Sequence, residues 1–337
     1  MSLFRTELRR LAKRRFARWM TAGGLLVLVL VAVGMFLSNQ KIGPDQLAEA
    51  RRAADQQHQE QVRWAEQERA NCERAKAAGE NVDYYPADCA EITPPPRESI
   101  EEQWFLPSTF DFRKSFGEML IPLAGILGMV GFVVGASFVG AEWNTGGMMN
   151  LLLWRPKRLT VLLTKLGALL TGLLALALPA TAAWFGSMWL VANLRGTTEG
   201  MTSGTWQSFL IGGLRGIVLA LVAATVGFAL ASLGRHTAMA LGGAIAVMVV
   251  GQIGLGILLS MAQVRFPEAW LLPTYAIAWM TKKVTLQDWQ ACNATYTGEC
   301  EPATLDITWQ HSSVLFTVGI VLFLGAALWT MRRRDIT

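Results

Sequence analysis

Residues 116–158 read FGEMLIPLAGILGMVGFVVGASFVGAEWNTGGMMNLLLWRPKR. The first part, 116–140, is apolar apart from Glu118. As a helix it is long enough to cross a hydrocarbon core of about 30 Å. It runs into a Gly-rich turn at Gly146-Gly147, then an apolar half-turn, then the basic cluster Arg155-Pro156-Lys157-Arg158. A second apolar run, 159–194, follows. Basic clusters next to spans favour the cytoplasmic face, where this loop meets both lipid headgroups and soluble partners.

The same reading extends outward to six spans: 21–38, 116–140, 159–194, 208–233, 237–261 and 313–331. Of the 337 residues 52% are hydrophobic and 16% charged. The predicted class is an all-α integral membrane protein, because backbone polar groups in lipid must be satisfied within a helix or a closed barrel. The runs are too continuous for the alternating pattern of a barrel. The third run is too long for a simple crossing and too short for two crossings and a turn. One long tilted helix, kinked at Pro179, is expected.

Charge predicts the orientation. With six spans both termini share a side, which also holds residues 154–165 and Arg235. That side carries 15 Lys/Arg against Glu7, Glu142 and Asp335, a net +12. The other side carries 14 Lys/Arg against 22 acids, a net −8, with Arg215 inside a span. The positive-inside rule places both termini in the cytoplasm. The basic pI of about 9.2 is then a topology signal and does not point to nucleic acid. Cys72, Cys89, Cys292 and Cys300 all fall on the outer side, where disulfides are the default. Local pairs Cys72–Cys89 and Cys292–Cys300 are favoured over pairings that join the two outer segments. No metal site is expected, since the cysteine spacings are long and no His adjoins them.

Residues 1–20 carry Leu3, Phe4, Leu8, Leu11, Phe16 and Trp19 near helical spacing among seven Arg/Lys. This is the pattern of an amphipathic helix in the headgroup layer, not of a cleavable signal peptide. Residues 39–115 form a helix-rich outer domain whose first part, 45–78, is rich in helix formers and ends at Gly79, a plausible C-cap. A solvated helix, a hairpin and a coiled-coil partner all fit it. Residues 262–312 form a second outer segment, in which the apolar stretch 269–280 is short enough for a re-entrant or interfacial helix. Residues 141–158 form the cytoplasmic loop and 332–337 the cytoplasmic tail.

No P-loop and no His-Glu-x-x-His pattern occurs in the sequence, so neither ATP binding nor metalloprotease chemistry is expected of this chain. Ser137 has no histidine to form a dyad with and reads as a small packing residue. No catalytic residues are expected. Arg215 inside the fourth span is a functional candidate by its cost, with Glu118 as a possible partner. Gln252 is polar at mid-depth. These three are the substrate-path candidates. Glycines in the second and fifth spans, such as Gly131, Gly135, Gly242 and Gly243, allow close helix packing.

The ordered set from Glu142 onward resembles the inner loop of ABC-2 type permeases, the membrane subunits of ATP-binding-cassette exporters. The matching residues are Glu142, Gly146-Gly147, Leu151-Leu152, Pro156 with Arg158, and Lys165. Gly147 stands where that family has Thr. The N-terminal amphipathic helix, the short apolar outer segment and the basic tail also fit the family, whereas residues 39–115 are longer than its usual pattern. The resemblance implies a permease that exports an amphipathic or lipophilic cargo such as a drug, peptide antibiotic or lipid, in a bacterial cell membrane. It implies a second permease copy or similar chain, and two ATPase subunits that hold ATP and Mg. Their docking site would be a coupling helix with Glu142, Trp143, Gly146, Gly147, Arg155, Pro156, Arg158 and Lys165, together with the N-terminal helix. A membrane-anchored sensor or assembly protein whose outer domain binds a ligand is the alternative.

Overall fold

The computed structural model describes residues 3–79, 84–154, 157–288 and 301–333. Its helices are α1 (Leu3–Lys13), α2 (Arg15–Ser38), α3 (Pro44–Ala78), α4 (Phe112–Asn144), α5 (Gly147–Trp154), α6 (Arg158–Arg195), α7 (Ser203–Gly234), α8 (Thr237–Ala246), α9 (Leu255–Met261), α10 (Leu272–Thr281) and α11 (Trp309–Arg333). A π-helical stretch, Val247–Gly254, joins α8 to α9. The strands are β1 (Phe110–Asp111), β2 (Gly196–Thr197), β3 (Lys283–Asp288) and β4 (Ala303–Thr308). Among the described residues six helices are long and apolar enough to cross a membrane: α2, α4, α6, α7, the run Thr237–Met261, and α11. They are the six spans expected. The third is one continuous helix of 38 residues with Pro179 inside it, roughly 57 Å long at 1.5 Å per residue.

The chain divides into two units. The first comprises Met1–Val33, Phe112–Trp189 and Glu199–Thr337. Its core lies among α4, α6 and α7, with Phe138, Val139, Leu162, Leu169 and Phe228 buried together. Gly135 explains how close α4 and α7 come: a Cβ there would sit 2.4 Å from the Ala224 carbonyl oxygen. In the spans α2, Thr237–Met261 and α11 few residues are buried.

The same unit holds structure beyond the helices expected. β3 and β4 pair antiparallel, from Lys283 opposite Thr308 to Asp288 opposite Ala303. Leu286 and Ile307 bury against Ala278 of α10. The protein is still mostly helical, and the hairpin is a local addition: a segment between two apolar runs can satisfy its backbone as a hairpin as readily as a helix can. The break near the N-terminus also differs from expectation. It falls at Arg14, and the helix of the first span starts at Arg15.

The second unit comprises Gly34–Asp111 and Leu190–Thr198. Here α3 is a single helix, which settles the choice left open between helix and hairpin. Gln46 Oε1 accepts from the Gly43 N–H at 2.9 Å at its start. Gly79 ends it in the left-handed region, φ 70, as a C-cap glycine does. Ala50, Ala54, Ala65 and Cys72 form its buried stripe. The chain that follows packs there through the Cys72–Cys89 disulfide and the Arg97–Asp55 ion pair at 2.7 Å. One favoured disulfide is therefore present, and Cys292 and Cys300 lie outside the described residues. β1 and β2 form a short parallel pair in this unit.

Candidate functional site

The end of α4 sets the geometry. The helix carries Glu142 and Trp143 in its last turn and stops where Gly146 takes φ +71, a conformation that side-chain-bearing residues rarely adopt. The Gly146 N–H donates to the Trp143 carbonyl at 3.3 Å, and α5 sets off in a new direction. Met148 and Leu152, one turn apart, are buried in the core, whereas Met149 is exposed and Leu153 is 82% exposed. The short helix is thus anchored along one side and open along the other.

Beneath this turn lies a buried ion network. Lys165 of α6 is fully buried. Its Nζ donates to Glu7 Oε2 of α1 at 2.6 Å and reaches Glu142 Oε2 of α4 at 2.6 Å. Glu142 Oε1 accepts from Arg14 Nη2 at 3.4 Å, and Arg14 Nη1 donates to the Ser137 carbonyl at 2.6 Å. Arg10 Nη1 donates to Glu7 Oε1 at 3.0 Å. The Phe138 ring lies between the cations, 5.2 Å from Lys165 Nζ and 5.3 Å from the Arg14 guanidinium carbon. A buried lysine is tolerable only when paired, and here two carboxylates face it. Burial pushes the Arg14 guanidinium below the usual arginine range, while Glu142 and Glu7 pull it the other way. The arrangement ties α1, the end of α4 and the start of α6 into one rigid joint beside the α4–α5 turn.

Two sequence-selected residues, Glu142 and Lys165, therefore meet. Glu142, 12% exposed at its side chain, spends its oxygens inside the joint, so the open side of α5 is supplied by Met149 and Leu153. Trp143 faces Arg235, with the guanidinium 5.0 Å from a ring centroid. Arg158 opens α6. Arg155 and Pro156 lie outside the described residues. Glu7, Arg10 and Arg14 were not singled out by sequence. The signal was present: Glu7 stands between Leu3 and Leu11 at i, i+4 spacing, one acid on an apolar stripe of a basic helix.

The substrate-path candidates do not converge. Arg215 Nη1 donates to the Trp279 carbonyl at 3.1 Å, and Trp279 Nε1 donates to the Arg215 carbonyl at 2.9 Å. The guanidinium stands 5.8 Å from the Trp279 ring centroid and 5.6 Å from that of Trp309. Among the described residues the cation is met by these two indoles and a carbonyl, an arrangement that suits a guanidinium, and Glu118, the possible partner, is not among its contacts. Gln252, in the π-helical stretch, accepts the Leu272 N–H at 2.7 Å through Oε1 and so caps the start of α10. Among the described residues no cluster of three or more His, Cys, Asp or Glu side chains could hold a metal ion.

A family model described as ABC-2 family transporter protein matches residues 1–335. A comparison with curated proteins gave no match.

Proposed function

From a chain that belongs to the ABC-2 family of transporter proteins, we infer the permease subunit of an ATP-driven exporter. Two permease chains would pair around a central path. Separate ATPase subunits, which hold ATP and Mg, would dock on α5 from the cytoplasm. The observation that carries this reading is the build of α5: a short helix, set off by the left-handed Gly146, anchored by Met148 and Leu152 and open at Met149 and Leu153. A push on its open side would be delivered to α4 and α6 together, because Lys165 and Glu142 lock the two helices beside the turn. α1 would lie in the headgroup layer and move with them through Glu7. The apolar spans suit an amphipathic or lipophilic cargo.

Co-purification in mild detergent tests the reading. The tagged chain should bring down a P-loop ATPase at one copy per permease. Leu153→Asp should release it while the permease still elutes as a folded particle. Recovery of no ATPase in several detergents, from a stable chain, would sink the proposal and favour a sensor built on the 39–115 segment.

A further inference from the structure

We propose that the chain binds one anionic phospholipid, with an acyl chain behind α1 and the phosphate on Arg15 and Arg18. The apolar part is a crevice of about 390 Å³. Leu8 and Leu11 of α1 and Ala17 of α2 form one side, and Val134 of α4 and Leu169 and Leu173 of α6 the other. Gly172 keeps it narrow but open, since a Cβ there would lie 2.6 Å from Leu11 Cδ2. A cleft with almost no polar lining suits an alkyl chain.

The mouth is cationic. Arg18 lines the crevice and also a second cavity of about 450 Å³, shared with Arg15, Trp19 and Ala22. Arg18 Nη2 donates to the Lys13 carbonyl at 3.0 Å, which holds the guanidinium at the end of α1 and leaves other donors for phosphate. Trp19, 73% exposed beside it, suits a headgroup boundary. An apolar slot beside two arginines and an indole offers the chemistry that an acyl chain, a phosphate and the interfacial layer require. A zwitterionic lipid would satisfy the slot but repay less of the charge, and a soluble phosphate would leave the slot unfilled. This inference rests on the membrane character of the chain and not on the exporter reading, and its readout needs neither ATPase nor transport.

The experiment is native mass spectrometry of the purified chain with added phosphatidylglycerol or phosphatidylcholine, alongside thermal unfolding in detergent. One phosphatidylglycerol should bind preferentially and raise the unfolding temperature. The double variant R15Q/R18Q should lose about thirtyfold in affinity for it, two cations at roughly 1 kcal/mol each, and bind the two lipids alike. Ala175→Trp, which fills the crevice from its exposed wall, should abolish binding of both while leaving the folded particle intact. Equal binding of the two lipids by the parent chain, unchanged binding in R15Q/R18Q, or equal protection by glycerol 3-phosphate would each overturn the proposal.

Discussion

At the scale of single residues the joint of Glu7, Lys165, Glu142 and Arg14 dominates. Lys165→Met would leave two buried carboxylates facing an apolar side chain, a change that costs about 3–5 kcal/mol in buried pairs of this kind. Replacing one of the two opposing acids as well, as in E7L/K165M, should recover part of that loss, because the fully buried carboxylate is gone and Glu142 keeps its contact with Arg14. Thermal unfolding of the two single variants and the double in detergent checks this. Additive losses would mean that the 2.6 Å contact carries no coupling. Half of this joint was legible in the sequence. Glu142 and Lys165 stood out through the resemblance of the loop to that of the ABC-2 permeases. Their role as partners was hidden, because 22 residues and a helix reversal separate them. Glu7 was hidden for another reason: one acid among seven bases looks like surface until the apolar stripe it interrupts is turned inward.

Among elements, the six spans were readable because the bilayer imposes a length on every apolar run. The hairpin β3–β4 was missed although its signal was present: Val284 and Leu286, and Ala303, Leu305 and Ile307, alternate with polar residues, but two runs of six residues inside a long outer segment did not stand out from loop. Its stability has a pH signature. The Lys283 ammonium and the Thr285 hydroxyl donate to Asp306, each at 2.7 Å, and hold its carboxyl below the usual carboxylate range. A depressed value means the contribution is complete above the unfolded carboxylate range, near about 3.9, and fades as pH falls through the lowered value. Protection against amide exchange in residues 283–288 and 303–308, taken relative to the intrinsic rate at each pH, should therefore fall on strong acidification, and Asp306→Asn should flatten the dependence. Equal acid sensitivity in both chains would assign it elsewhere. The α4–α7 contact gives a second prediction at this scale. Gly135→Leu drives a side chain toward the Ala224 carbonyl, and overpacking of this sort costs about 1–3 kcal/mol. A lowered unfolding temperature is expected, whereas Gly125→Leu, at a site with no neighbour within 4 Å of a Cβ, should be neutral.

For the molecule as a whole, the question is what covers the spans that the chain leaves open. Lipid is enough for a face of large aliphatic side chains, and α2 and α11 present such faces: Leu26, Leu30, Val314 and Val321 are exposed. The fifth span differs. Its apolar window contains no buried residue, yet it carries Gly242 and Gly243 with nothing within 4 Å of a Cβ at either. Small residues gain nothing against fluid chains, but they let a second backbone approach closely. Ile245 (63% exposed) and Val249 share the helical face of Gly242. On the proposed dimer this face would be the contact between permease copies. A photoreactive residue at Ile245 should cross-link two copies in native membranes, while the same residue at Val314 should not. Gly242→Leu should lower that yield without lowering the yield of folded monomer. Cross-linking at Val314 with none at Ile245 would move the interface to α11, and the fifth span would then be a lipid-facing helix whose glycines serve its own bending at the π-helical stretch.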